Sequence, residues 1–177
     1  MSAAHEPDLE SLARDCFDYF VTHASAVNGL VPDSSRKDSA ASIATVGFGL
    51  SAYVVGVKCG YMTRKAAVAS TLKVLRFFRD SEQSEAPDAT GHQGFYYHFL
   101  DMQSGRRVVP CELSLIDSSL LLAGMLTAAM FFDGDAADER EIRETADALY
   151  QRADWMWALD SRKTVAMGWK PECGFLN

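Results

Sequence analysis

Two carboxylates, Glu112 and Asp117, stand in the segment Cys111-Glu-Leu-Ser-Leu-Ile-Asp117, at the entrance of an almost uncharged apolar stretch. A carboxylate at a helix entrance can use the helix dipole and the free N–H groups of the first turn. Asp117 sits among Leu115, Ile116, Leu120 and Leu121, where a charge is costly without partners. Such a pair can move a proton or stabilise a developing positive charge. The plainer alternative is that Glu112 caps the helix and Asp117 pairs with one buried donor.

Three other segments carry groups of the same kind. Gly168-Trp-Lys-Pro-Glu-Cys-Gly-Phe175 is rich in Gly and Pro, reads as a loop, and presents Trp169, Lys170 and Glu172. Aromatic faces beside carboxylates suit sugars, whose rings have apolar C–H faces; a surface loop with one buried Trp is the competing reading. In Gly91-His-Gln-Gly-Phe-Tyr-Tyr-His-Phe-Leu-Asp101, strand alternation puts Phe95, Tyr97 and Phe99 on one face and Tyr96, His98 and Leu100 on the other. His98 lines a cleft in one reading and is a hydrogen-bonded structural residue in the other. Asn28-Gly-Leu-Val-Pro-Asp33 is a turn, with Asp33 as cap or turn acceptor.

The elements that must position these groups follow from periodicity. Apolar residues at helical spacing predict helices over 8–24, opened by Pro7-Asp8, and over 39–58, 63–80, 113–132 and 138–158. Thr63 is placed to cap the third, and Asp138 with Glu141 has capping-box spacing for the fifth. Phe95–Leu100 and Arg106–Val109, joined by the Ser104-Gly105 turn, predict a small β-hairpin. The second and fourth helices are apolar around most of their circumference, the third and fifth amphipathic. Inner and outer rings of an α/α toroid require that alternation, and an ordinary bundle gives a weaker version of it.

Composition narrows the classes. The 177 residues are 48% hydrophobic and 23% charged, with a formal net charge of -7. No basic stripe with interleaved aromatics is present, so no nucleic-acid partner is expected. The uncharged run from Ser39 to Val57 is only weakly hydrophobic and reads as a buried helix rather than a membrane span. No signal-peptide pattern opens the chain, which reads as cytoplasmic as given. Cys16, Cys59, Cys111 and Cys173 lack metal-ligand spacing and read as reduced, mostly buried thiols; no metal and no cofactor is expected.

Taken in order, these segments resemble the bacterial glycoamylase-like domain of endo-β-1,2-glucanases and cyclic β-1,2-glucan synthases. The resemblance rests on Phe17-Asp-Tyr-Phe20, Gly29-Leu-Val-Pro-Asp33, Ser42-Ile-Ala-Thr-Val-Gly-Phe-Gly-Leu50, Gly94-Phe-Tyr-Tyr-His-Phe-Leu-Asp101, Glu112-Leu-Ser-Leu-Ile-Asp117, Ala146-Asp-Ala-Leu-Tyr150 with Asp154-Trp155, and Gly168-Trp-Lys-Pro-Glu-Cys-Gly-Phe-Leu176. The family usually has Thr where this chain has Leu115 or Ser118, and its secreted relatives, periplasmic or extracellular, carry a signal peptide. The resemblance implies an all-α (α/α)6 barrel of about twelve helices. With five expected here, residues 1–177 would form the N-terminal half of one catalytic domain, inactive alone and lacking the C-terminal half as its partner. It implies a glycoside hydrolase acting on β-glucan, most of all β-1,2-glucan, with transglycosylation as a variant outcome. Glu112 is then the general-acid candidate, Glu172 its partner, and Asp117 a group that orients or tunes Glu112. Asp33, Tyr96, His98, Arg107 and Trp169 are implied to bind glucan. The alternatives are a non-catalytic glucan-binding protein and a truncated fragment without activity of its own.

Overall fold

The computed structural model describes residues 8–176; Pro7, expected to help open the first helix, lies outside them. The elements in chain order are α1 (Leu9–Thr22), β1 (Ala41–Ser42), α2 (Ile43–Lys58), α3 (Arg64–Asp80), β2 (Gly91–His92), β3 (Phe95–Tyr97), β4 (Phe99–Leu100), β5 (Leu113–Ser114), α4 (Leu115–Phe131), α5 (Ala137–Arg152), α6 (Trp155–Ala158), β6 (Gly168–Lys170) and β7 (Gly174–Leu176). Helices dominate, as expected, and a small sheet accompanies them.

The helices form two layers. α2 and α4 pack along one another as the inner pair, and α1, α3 and α5 lie against them. The two glycines where α2 and α4 meet explain how closely they approach: a Cβ on Gly124 would run into the backbone of Gly47, and one on Gly47 into the backbone at Leu120 and Leu121. The inner pair buries Val46, Leu50, Leu121 and Met125. In the outer layer Arg64 of α3 grips Glu139 of α5 with two bonds, 2.8 and 2.7 Å. Among the described residues no helix is long and apolar enough to cross a membrane.

Several boundaries differ from expectation for identifiable reasons. α2 begins at Ile43 because Ala41–Ser42 is a strand paired with Phe99–Leu100. α5 ends at Arg152; Ala153 is extended, and Asp154 caps the separate turn α6 by accepting from Trp157 N–H. The capping box expected of Asp138 and Glu141 is not formed. Ala136 is the N-cap without a side-chain bond, and Glu141 is drawn instead to Arg76 at 2.5 Å. Thr63 does cap α3, accepting from Ala66 N–H. Three of the four cysteines, Cys16, Cys59 and Cys173, are exposed rather than buried, and all four are free thiols.

The expected hairpin over 95–109 is replaced by a larger arrangement. Phe95–Leu100 is two strands broken at His98. β3 enters an antiparallel five-stranded sheet of order β2-β3-β5-β6-β7, while β4 pairs with β1. The Arg106–Val109 return survives only as the isolated bridge between Leu100 and Arg107. The Gly168–Phe175 segment, read as a loop, is the β6–β7 hairpin, turned by Gly174 at φ +80°.

α2 and α4 also leave an apolar stripe uncovered: Phe48 and Val55 on α2, Ile116, Leu120 and Met130 on α4, the last 81% exposed. Apolar patches of this kind drive association. The purified chain is expected to self-associate in light scattering, and Leu120→Glu with Met130→Glu to shift it toward monomer; a monodisperse wild-type monomer would overturn this. Gly124→Ala, which overpacks the α2–α4 crossing, is expected to cost about 1–3 kcal/mol. For a chain of this size that lowers the melting temperature by about 2–4 °C per kcal/mol, read by circular dichroism at 222 nm.

Candidate active site

The centre of the sheet builds the site. β5 has neighbours on both sides: Tyr97 pairs with Leu113, and Leu113 with Trp169. Continuing the β3–β5 register by one step sets His98 opposite Glu112, and the His98 N–H donates to the Glu112 carbonyl at 2.9 Å. Their side chains meet as well, with Nδ1 2.9 Å from Glu112 Oε1. β5 runs directly into α4, whose N-cap is Ser114. The Ser114 hydroxyl accepts from Asp117 N–H at 3.2 Å and donates to Asp117 Oδ2 at 2.5 Å. This fixes Asp117 in the first turn, 3.6 Å from His98 Nε2. Ser114, not Glu112, is therefore the cap; its spacing of three to Asp117 is the signal that finds it.

His98, Glu112 and Asp117 line one cleft of about 840 Å³ with Ser119, Ile116, Trp155 and Met167. Its walls combine apolar side chains with a few convergent polar groups, the usual character of a small-molecule site. Donor atoms of the three titratable residues lie within 4.8 Å of one another, a spacing that a divalent cation could also use. In the structure His98 and Glu112 are at hydrogen-bond distance instead.

Partial burial pushes the Glu112 carboxyl up. Its own backbone N–H, the hydrogen bond and charge of His98, and Lys170 pull it down, and the balance falls below the ordinary glutamate range. Lys170 reaches this position from β6, with Nζ donating to the Pro110 carbonyl at 2.7 Å. A general acid needs the opposite, a carboxyl raised toward neutrality. The surroundings of Glu112 favour its ionised form.

The other expected site residues lie elsewhere. Glu172 faces Arg107 in a two-pronged pair, 2.7 and 3.2 Å, which holds its carboxyl below the usual range. Arg107 is buried and also donates to the carbonyls of Cys111 at 2.8 Å and Pro87 at 3.0 Å, with its guanidinium 4.5 Å above the Tyr97 ring. Burial of Tyr97 pushes its phenol up to about 12. Tyr96 is fully buried; its hydroxyl donates to the Phe78 carbonyl and meets Arg152, so it does not face the cleft. Trp169 stacks on His92 at 4.9 Å and meets Trp157 edge-on at 5.8 Å. Asp33 is exposed on its own loop, its N–H donating to the Ala40 carbonyl. Of the eight expected residues, the cleft gathers His98, Glu112 and Asp117. The expectations did not include Ser114, Ser119 or Trp155.

No protein-family model matches the chain. It is 28% identical over 168 residues to an exo-β-1,2-glucooligosaccharide sophorohydrolase (non-reducing end) of Parabacteroides distasonis, covering 91% of this chain and 22% of that protein. A candidate glucoamylase of Bacteroides uniformis has the same fold at TM-score 0.83 and 23% identity, over 97% of this chain and 42% of that one. An endo-β-1,2-glucanase of Chitinophaga pinensis, solved with sophorotriose and glucose, matches at TM-score 0.80 and 19% identity, over 93% of this chain and 40% of that one. The chain thus spans less than half the length of these relatives. They are glucoamylase-like and β-1,2-glucan-acting proteins, in keeping with the glycoamylase-like resemblance of the sequence.

Arg107 and Glu172 differ in expected cost. Arg107→Met strips the donor from two carbonyls and the Glu172 carboxylate, at about 1–3 kcal/mol for each buried acceptor left unpaired. Glu172→Gln removes an exposed carboxylate but keeps an acceptor for Arg107, and should cost less than Arg107→Met. Equal losses in thermal melts would show that the Arg107 bonds to the two carbonyls add nothing to stability.

Proposed function

We propose that this chain supplies one pole of the catalytic centre of a glycoside hydrolase acting on β-glucan, above all β-1,2-linked glucan. The observation that carries the reading is the carboxylate pair Glu112 and Asp117, gathered beside one imidazole in an apolar-walled cleft. The 28%-identical sophorohydrolase supports the linkage. Residues 1–177 belong, in this reading, to a single catalytic domain, an (α/α)6 toroid in which α2 and α4 are inner helices.

Glycoside cleavage needs one carboxyl group to protonate the leaving oxygen and another to activate water or attack the anomeric carbon. These groups stand about 5–5.5 Å apart in retaining and about 6.5–9.5 Å apart in inverting enzymes. One oxygen of Glu112 and one of Asp117 lie within 4.8 Å of each other and of a ring nitrogen of His98. In this reading the two act as a pair from the same side of the sugar. Glu112, held below its ordinary range, acts as base or nucleophile, and Asp117 supports it. The proton donor then stands across the cleft. Glu172, expected as the partner, is committed to Arg107, which leaves the donor to a group beyond the described residues. Ile116, Trp155 and Met167 offer apolar surface to the C–H faces of the sugar rings.

The test uses a polypeptide that contains this chain and spans the length of its relatives, assayed on β-1,2-glucan. Glu112→Gln keeps the shape and removes the charge; turnover should fall at least about 100-fold, the usual scale for losing a general acid or base. A purely structural role would leave turnover intact. Because Glu112 titrates below its ordinary value and works ionised, activity should persist as pH drops through about 4.3. It should be lost only where the depressed carboxyl takes up its proton. Chelator should leave the rate unchanged, and activity confined to α-glucans would overturn the assignment.

A further inference from the structure

We propose that His98 is a positioning residue of this carboxylate centre, fixing Glu112 through Nδ1, rather than a ligand of sugar hydroxyls. The inference rests on the glycosidase reading above for its kinetic consequence but not for its geometry.

His98 is held through both its backbone and its ring. Its N–H donates to the Glu112 carbonyl, and its own carbonyl accepts from the Ile43 N–H at the start of α2, at 3.2 Å. Its ring lies flat on Phe99, centroids 4.0 Å apart and planes 11° apart. Phe99 is in turn held by Cys111, whose Sγ accepts from the Phe99 N–H at 3.4 Å. The His98 ring is backed by Phe99 on one face and spends Nδ1 on Glu112, to which the residue is joined twice, by backbone and by side chain. An ionised carboxylate only accepts hydrogen bonds, so the shared proton sits on Nδ1. That leaves Nε2 on the edge facing Asp117 Oδ2 at 3.6 Å, longer than a hydrogen bond. The grip is therefore on Glu112, and Asp117 is held independently by Ser114.

The charged and titratable groups around Glu112 are His98 from the β3–β4 break, Lys170 from β6, Asp117 from α4 and the adjacent Cys111 thiol. All but His98 stay unchanged in the experiment. His98→Ala removes the imidazole, whereas His98→Asn keeps an N–H donor close to the place of Nδ1. Two measurements are made on both variants. The first is the titration of the Glu112 carboxyl by ¹³C NMR in the 177-residue chain, with amide spectra to verify folding. The second is steady-state kinetics with the longer polypeptide.

In His98→Ala the Glu112 midpoint should move up. The acid limb of the kcat/KM profile should move with it, and kcat should fall about 100-fold with little change in KM, the scale of misplacing a reacting group by an ångström. His98→Asn should recover most of both. An unmoved Glu112 midpoint in His98→Ala overturns the proposal, and so does a raised KM with kcat intact, the mark of a sugar ligand. If the midpoint moves but the unaltered polypeptide cleaves no β-glucan, the positioning role stands and the glycosidase reading falls.

Discussion

The junction of β5 and α4 carries most of what is distinctive here. Leu113 and Ser114 are paired on both edges, to β3 and to β6, and Ser114 is at the same time the cap of α4. Backbone hydrogen bonds thus fix the residues on either side of this junction before any side chain is considered. Glu112 is placed by the strand, Asp117 by the helix, and His98 by the register of the neighbouring strand. A one-residue slip in that register would turn His98 to the opposite face of the sheet, away from both carboxylates.

The junction is held in turn by the helices behind it. α4 can lie against α2 only because Gly47 and Gly124 let the backbones approach, and β1, which leads into α2, is tied to β4 just beyond His98. His98 is therefore linked to both inner helices, through its carbonyl and the Ile43 N–H on one and through Glu112 and Ser114 on the other. Arg107 plays a comparable part at the edge of the site. Reaching four partners from a buried position, it holds the Cys111 carbonyl and hence the approach of the chain to Glu112.

Periodicity made the helices legible in the sequence. Apolar residues surround α4 in the sequence, Leu121, Leu122, Met125, Ala128 and Ala129 on its buried side and Ile116, Leu120 and Met130 on its exposed one, whereas Ile142, Ala146 and Leu149 mark a single face of α5. Two- and three-residue strands carry no periodicity, so the five-stranded sheet was not legible, and the glycines of Gly168–Gly174 read as a loop. Glu112, Asp117 and His98 were legible as chemistry but not as a cluster, because what joins them is register. Tyr96, Arg107 and Glu172 looked like groups for a ligand; the protein uses them itself. In a strand buried on both faces, alternation does not tell which side faces the cleft. Asp138 and Glu141 had the spacing of a cap, but a nearby arginine was the stronger partner.

The aromatic neighbourhood of the cleft has an optical consequence. All three tryptophans, Trp155, Trp157 and Trp169, gather around Phe95, His92 and Phe175, within ring-to-ring distances of 4.7 to 6.1 Å. Trp155 lines the cleft itself. Tryptophan emission, excited to the red of the tyrosine band, therefore arises from this one neighbourhood, with excitation shared among indoles that touch common neighbours. Its intensity and colour report on that neighbourhood without an attached dye.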